Sequence, residues 1–252
     1  MSNIDTILTD VLIIGGGPSG LAVAIHLADL FKQKGESHRI LLVEKGSSIG
    51  SHIMSGAVIK PAVFKELLPE VELSEIPFNA KVIKDKTVLL GEKTSFTLPF
   101  HVPYMSNNGN YTASLGQVCK YLALKAEERG VEVYTGFAVN EILYKDGKVI
   151  GAKTKDTGID HHGNQLENFQ AGSRIEAKIT IFAEGTRGSL AKMLINKFNL
   201  DKDRNEQIYS LGCKEIWSVP DGNIKAGQVF HTMGYPLNND EFGGGFIYGL
   251  ND

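Results

Sequence analysis

Residues Val11 to Leu21 read VLIIGGGPSGL, four apolar β-forming residues that run into a glycine cluster and then into the apolar helical pattern AVAIHLADLF. The turn carries Gly15-x-Gly17-x-x-Gly20, a spacing suited to the phosphates of a dinucleotide. Gly15 permits a sharp turn, Gly17 has no side chain to hold a pyrophosphate off the backbone, and Gly20 lets the helix pack closely on the strand. The helix N-terminus then offers N–H groups and a partial positive charge to the phosphates. A second strand, Arg39 to Glu44, ends in an acid where an adenosine ribose needs an acceptor. Glu44 comes later than the usual offset of about 20 residues, and the polar loop from Lys32 to His38 takes up the excess. The plainer alternative is an ordinary βαβ unit with a surface Glu44.

Other residue types that could do chemistry are few. Two cysteines, Cys119 and Cys213, cannot form a four-cysteine metal site. Cys119 falls near the apolar face of a helical pattern and Cys213 within an alternating strand, so both are expected as small core or boundary residues. His161-His162 sits in DHHGN, a turn sequence without a ligand partner at suitable spacing, and reads as a solvated loop. No metal ligand, nucleophile or general base is assigned. His52 and His231 are histidines that could pass protons, although histidine is often merely structural.

The elements that must position these residues follow from periodicity. After the apolar, glycine- and serine-rich run from Lys45 to Lys60, Ala62 to Leu68 makes a short helix behind Pro61. Lys81 to Leu90 and Thr94 to Leu98 read as β-structure around the turn GEK. Ser114 and Gln117 form a capping box ahead of Leu115, Val118, Leu122 and Ala126, which repeat at helical spacing up to Gly130. Val131 to Tyr134 is then a third sheet strand. Ala138 to Tyr144 and Val149 to Thr154 flank an Asp-Gly turn, a strong hairpin signal, and Gly172 to Ala177 extends this meander. The chain returns in a strand from Lys178 that ends in the glycine turn AEG, followed by a helix over Ser189 to Phe198. Later alternating strands are expected at Gln207 to Val219, Gln228 to Tyr235 and Phe242 to Leu250.

The chain has 252 residues, 42% hydrophobic and 22% charged, which suits one large or two small globular domains. A net charge of −3 gives no electrostatic case for nucleic acid. Residues 11–31 are apolar enough to suggest a membrane span, but the GGGP turn, His26 and Asp29 argue against one. The opening MSNIDTILTD shows no signal or transit peptide.

A dinucleotide turn followed by a β-meander and a strand ending in AEG resembles the FAD proteins of the glutathione-reductase and hydroxylase superfamily. The resemblance narrows further. The runs LLVEKGSSIGSHIMSGAVIKP, NNGNYTASLGQV, GVEVYTGFAVNEILY, TIFAEGTRGSLAK and HTMGYPLNNDEFGGGFIYGLND resemble the electron-transfer flavoprotein–ubiquinone oxidoreductase family. The segments HxxSGAV, NxGNY, FAEGxxGxL and HTxGxPL carry most of the specificity, and the likeness runs from about Asp10 to Asp252. The resemblance implies a membrane-associated oxidoreductase with one FAD and one 4Fe-4S cluster. It would take electrons from reduced electron-transfer flavoprotein and pass them to ubiquinone. It would sit monotopically on a bacterial cytoplasmic or mitochondrial inner membrane.

The same resemblance implies roles by position. Gly15, Gly17, Gly20, Glu44 and Lys45 would hold the FAD diphosphate and ribose. Ser55 and Gly56 would lie near the flavin ring, the strand at Val139 would pass the adenine, and Ala183, Glu184 and Gly185 would form a second flavin-contacting turn. Gly243 and Gly244 match the family's glycine pair at the quinone pocket. Residues 49–70 correspond to a membrane-contacting stretch, with Ile53, Met54, Val58, Ile59 and Phe64 as its exposed candidates; burial of some of these in core is the alternative. Tyr235 stands where a Trp is common, Gly245 where a Ser is common and Gly249 where a His is common. Family members are about twice this long, and their cluster cysteines come later, so the chain is expected to be an N-terminal part.

The expected fold is therefore α/β. A Rossmann-like FAD-binding domain at 1–78 and 110–200 carries an inserted β-meander. A second, mainly antiparallel region takes 79–109 and 201–252, and the cluster domain lies outside the chain. Two alternatives remain. One is an FAD-dependent reductase or hydroxylase of a hydrophobic substrate, and the other a non-catalytic flavin-binding remnant.

Overall fold

The computed structural model describes residues 6–54, 56–100, 103–220, 222–238 and 240–251. In chain order, the first elements are β1 (Thr6–Ile14), α1 (Pro18–Lys34), β2 (Ile40–Glu44), β3 (Ala57–Ile59) and α2 (Ala62–Leu67). Next come β4 (Phe78–Lys81), β5 (Lys84–Leu90), β6 (Ser95–Thr97), β7 (Tyr111–Ala113), α3 (Leu115–Glu127) and β8 (Glu132–Thr135). There follow β9 (Val139–Lys145), β10 (Lys148–Thr154), β11 (Thr157–Ile159), β12 (Gln165–Gln170) and β13 (Arg174–Phe182). The last are α4 (Ser189–Phe198), β14 (Gln228–Gly234) and β15 (Gly245–Tyr248). The elements fall into two compact units, one formed by residues up to Ile53 with Cys119–Gly212, the other by Met54–Val118 with residues from Cys213 on.

The first unit is built on a six-stranded sheet of order β8-β2-β1-β13-β10-β9. β8, β2, β1 and β13 are parallel, while β10 and β9 run antiparallel at one edge. Val11 to Ile14 and Ile40 to Val43 are buried without alternation, as strands covered on both faces require. Leu12, Ile14, Leu41, Val43, Ile142, Ala152, Ile175 and Leu190 form one core cluster. Leu21, Ala24 and Ile25 of α1 and Val118, Cys119, Leu122 and Ala126 of α3 are likewise buried, matching the helical spacing. At the β9–β10 hairpin Asp146 and Gly147 take φ of 50° and 74°, the pair of left-handed residues a tight Asp-Gly turn needs.

The second unit holds two sheets. One has the order β3-β7-β4 and is antiparallel throughout. The other has the order β15-β14-β5-β6, in which β14 and β5 pair in parallel between two antiparallel neighbours. The mixed α/β class and Rossmann-like sheet expected from the sequence are what is found.

Several expectations change. The units divide at 53/54 and 118/119 instead of 78/79 and 109/110, because β3 and β4 both pair with β7 and keep residues 54–118 together. Gly172 to Ala177 and the return strand are not separate. β13 is one nine-residue strand whose start pairs with β10 and whose length pairs with β1, since RIEAKITIF contains no breaker. No strand forms over Gln207 to Val219; its alternation has no ladder partner among the described residues, and its apolar members stand exposed, Leu211 at 97% and Trp217 at 76%. Cys213, within that stretch, is exposed rather than at a core boundary. Phe64 is not a surface residue: it is 6% exposed and packs edge-on against Phe78 with ring centroids 5.3 Å apart. His161-His162 does lie in a turn, between β11 and β12, where the Asp160 carboxylate accepts the N–H groups of His162 and Asn164.

The two cysteines therefore differ in reactivity. Burial pushes the Cys119 thiol up to about 11, so at pH 8 it stays protonated and shielded. A disulfide thiol reagent at pH 8 should modify one thiol per folded chain, and Cys213→Ser should abolish the fast reaction. Fast labelling of two thiols would place Cys119 at the surface.

Candidate functional site

The phosphate turn joins β1 to α1 in the first unit. Gly15 has φ of 113°, and a Cβ there would overlap the Ala183 carbonyl oxygen at the end of β13. A Cβ on Gly20 would overlap the Gly15 carbonyl oxygen. The ends of β1 and β13 and the start of α1 thus meet at two points without side chains. Gly17 differs: its backbone (φ −80°, ψ 179°) suits any residue, and a Cβ would meet nothing within 4 Å. Gly17 is the N-cap of α1, with no side-chain cap bond, Pro18 in the first turn and no acidic residue there. The arrangement is a side-chain-free cradle over a helix N-terminus, the geometry that receives a phosphate anion.

Glu44 stands at the end of β2 with its side chain 13% exposed. Its Oε2 accepts the Gly16 N–H at 2.8 Å and its Oε1 accepts the Gly46 N–H at 2.8 Å. His52 Nδ1 lies 3.6 Å from Oε1. The carboxylate ties the turn after β1 to the chain leaving β2. That chain is tied onward, since the Phe137 N–H donates to the Glu44 carbonyl and the Gly136 N–H to the Gly46 carbonyl. Val139, two residues beyond, opens β9 and is half-buried. Lys45 is exposed.

The Ala183–Gly185 turn also lies beside the phosphate turn, with the Ala183 N–H donating to the Ile14 carbonyl at 2.8 Å. A Cβ on Gly185 would meet open space. The Glu184 side chain has another task. Its carboxylate accepts the N–H groups of Leu190 and Ala191 at 3.2 and 2.8 Å and so caps α4, whose own N-cap, Gly188, has no side chain to do so.

In the second unit, Ser55 lies outside the described residues. Gly56 has φ of 89°, and the Tyr248 hydroxyl fills the space a Cβ would take. Lys214 Nζ donates to the Gly56 carbonyl at 2.5 Å. Gly243 and Gly244 are exposed and lead into β15; a Cβ on Gly244 would stand 2.5 Å from the Thr232 carbonyl oxygen. Within the first unit the structure thus brings together Gly15, Gly17, Gly20, Glu44, Ala183 and Gly185. In the second it brings Gly56 against Tyr248. The sequence reading missed Gly16 and Gly46, whose amides hold Glu44, and Lys214 and Tyr248. Gly16 and Gly46 had a signal, being glycines one or two residues from named positions. Lys214 and Tyr248 had none.

The pyridine nucleotide-disulphide oxidoreductase family model matches residues 9–194, and a second model, "ETF-QO, ubiquinone-binding", matches residues 209–252. The electron transfer flavoprotein-ubiquinone oxidoreductase of Dictyostelium discoideum is 46% identical over 95% of this chain and 39% of its own length. That of Pseudomonas aeruginosa is 44% identical over 96% of this chain and 45% of its own length. The chain spans less than half the length of either relative. Among solved structures, the flavin-dependent brominase Bmp2 superposes with a TM-score of 0.52 at 20% identity, covering 76% of this chain and 40% of that one, a likeness of fold.

The open cradle at Gly17 fits the diphosphate of FAD, and the glycines around it separate two effects. Gly17→Val should fold and purify with less than a tenth of the wild-type flavin, because valine fills the phosphate space without straining the backbone. Gly20→Val should instead destabilise the fold by about 1–3 kcal/mol in urea titration. Full flavin absorbance in Gly17→Val would show that this turn does not hold the cofactor.

Proposed function

Because the chain belongs to the pyridine nucleotide-disulphide oxidoreductase family, we propose that it is the flavin-binding and quinone-contacting part of an electron transfer flavoprotein–ubiquinone oxidoreductase. The carrying observation is the side-chain-free cradle at Gly17, with the N-terminus of α1 beneath it and Glu44 beside it. The ubiquinone-binding match over residues 209–252 supports the acceptor, and the likeness to full-length relatives supports reduced electron transfer flavoprotein as donor.

In this reading Gly15 and Gly20 hold the turn closed, while the Gly17 backbone and the N-terminus of α1 receive the FAD diphosphate. Glu44 accepts from the ribose hydroxyls, and Ala183 and Gly185 line the second turn. Bound FAD supplies the electron-carrying chemistry, so no protein nucleophile is required. In the second unit, Gly243 and Gly244 leave backbone groups open to a planar quinone. The 4Fe-4S cluster would be held by cysteines elsewhere in the full-length protein.

Membrane association is proposed as monotopic. No described helix is long and apolar enough to cross a bilayer. Met54 and Val63, 61% and 54% exposed, are the apolar side chains of the 49–70 stretch available to lipid, whereas Phe64 is core.

The test of function is reduction of the full-length protein by reduced electron transfer flavoprotein, with ubiquinone as acceptor. Rapid flavin reduction by NADPH, and none by the flavoprotein, would move the assignment to the reductase and hydroxylase class. For the membrane contact, Met54→Asp with Val63→Asp should lower vesicle binding of the full-length protein at least fivefold and leave flavin content unchanged. Phe64→Asp should unfold the second unit. Unchanged vesicle partitioning of the double variant would place the lipid contact elsewhere.

A further inference from the structure

Two motifs find no role in flavin binding: NNGNY at residues 107–111 and HTMGYPL at residues 231–237. They meet in the second unit around a third residue that belongs to neither. Asp85 on β5 is 3% exposed and His231 on β14 is 14% exposed. His231 Nε2 lies 3.3 Å from Asp85 Oδ1 and 3.0 Å from Asn107 Nδ2. Asp85 Oδ2 accepts the Asn107 N–H at 2.6 Å. A buried carboxylate thus holds an imidazole by one edge, and the backbone of the loop at Asn107 is fastened to that carboxylate. Such burial is costly for isolated ionisable groups and is sustained by their pairing.

The strand register says where this imidazole points along the sheet. His231 is opposite Thr87 on one side and Phe246 on the other. Because side chains alternate, Asp85, Val229 and Tyr248 share its face on one side of it, and Leu89, Met233 and Gly244 on the other. The first end is packed: Val229 is fully buried. The other opens, with Leu89 and Met233 exposed, and Met233 Cγ is 3.9 Å from the Cβ position of Gly244. A residue pair along a strand face spans about 7 Å. The face is therefore an apolar ledge beside Gly244 that ends at an imidazole backed by a buried carboxylate.

We propose that His231 is the proton donor to a quinone ring resting on this ledge, with Asp85 as the positioning residue and the Asn107 backbone N–H holding the Asp85 carboxylate in place. The proposal rests on the quinone-reducing function inferred above. Reduction of the ring takes two electrons, from the reduced flavin, and two protons. His231 as the imidazolium gives one proton from the nitrogen turned away from Asp85. Its N–H bond breaks, an O–H bond forms on the carbonyl oxygen, and the neutral imidazole is reprotonated from water. The second oxygen takes its proton from solvent. Asp85 offsets the charge that the imidazolium brings into a buried position. The His231 imidazole is edge-on to Phe246 at 5.0 Å, with Tyr248 behind Phe246 at 5.5 Å and the Lys214 ammonium over the Tyr248 ring.

The experiment uses the full-length protein, reduced by its flavoprotein donor, with ubiquinone-1 or ferricyanide as acceptor. Ferricyanide takes electrons without protons. His231→Gln should lower kcat for ubiquinone-1 at least tenfold with KM changed less than threefold. The ratio of quinone to ferricyanide turnover should fall by the same factor. Equilibrium dialysis should show ubiquinone-1 binding within threefold of wild type. Asp85→Asn should lower the same ratio, and it serves as the second reading should His231→Gln lose its flavin. An unchanged ratio in both variants, or a loss confined to KM, would overturn the proton-donor role while leaving quinone reduction by the wild type intact. A wild-type protein that reduces ferricyanide but not quinone would instead overturn the functional reading, and this proposal with it.

Discussion

The first unit depends on one close approach. Three backbones, the end of β1, the end of β13 and the start of α1, converge where Gly15 faces the Ala183 carbonyl and Gly20 faces Gly15. Any side chain at either point would wedge a strand from its neighbour or the helix from the sheet. The parallel pairing of β1 with β13, which carries the core through Leu12 and Ile14, ends at this junction. The cradle at Gly17 is the open side of the same junction, so the close packing and the open space beside it have a common cause.

Two carboxylates stabilise the rims of that cradle by accepting backbone N–H groups. Glu44 joins Gly16 to Gly46, and Glu184 caps α4 from the turn after β13. Each substitutes for something the glycines lack. Gly16 and Gly46 cannot anchor themselves through side chains, and Gly188 cannot cap its own helix. A charge-assisted bond to a backbone donor is stronger than a neutral one, which suits loops with so little side-chain packing.

Much of this was legible in the sequence where a local rule and the tertiary environment agree. Val11 to Ile14 read as a strand because their β-forming apolar run is one, and Asp146-Gly147 read as a hairpin because the turn tolerates little else. Reading failed where the deciding partner is remote. Gln207 to Val219 alternate as a strand does, but no described strand offers a ladder. Phe64 was an exposed candidate only through the family resemblance, with burial as the alternative, and Phe78, which decides for burial, lies beyond a loop. That the Glu184 carboxylate caps α4 was not read from the sequence, because the cap comes from the turn before the helix and not from its own N-cap residue, Gly188. The Asp85–Asn107–His231 network joins three segments, and no spacing rule connects them.

The parallel pairing of β5 with β14 also bears on how the polypeptide is made. Lys84–Leu90 must pair with Gln228–Gly234, and the greater part of the first unit is translated between them. At about 5–20 residues per second, one edge of β5 waits on the order of ten seconds on the ribosome before its neighbour emerges. An unpaired strand edge is a template for the wrong partner. Folding of the second unit is thus tied to a late, long-range closure, slow by topology, while the central sheet of the first unit can already consolidate once β13 has left the exit tunnel. The segment that brings His231 to Asp85 therefore reaches the sheet long after β5 and β6, and only β15 can join after it.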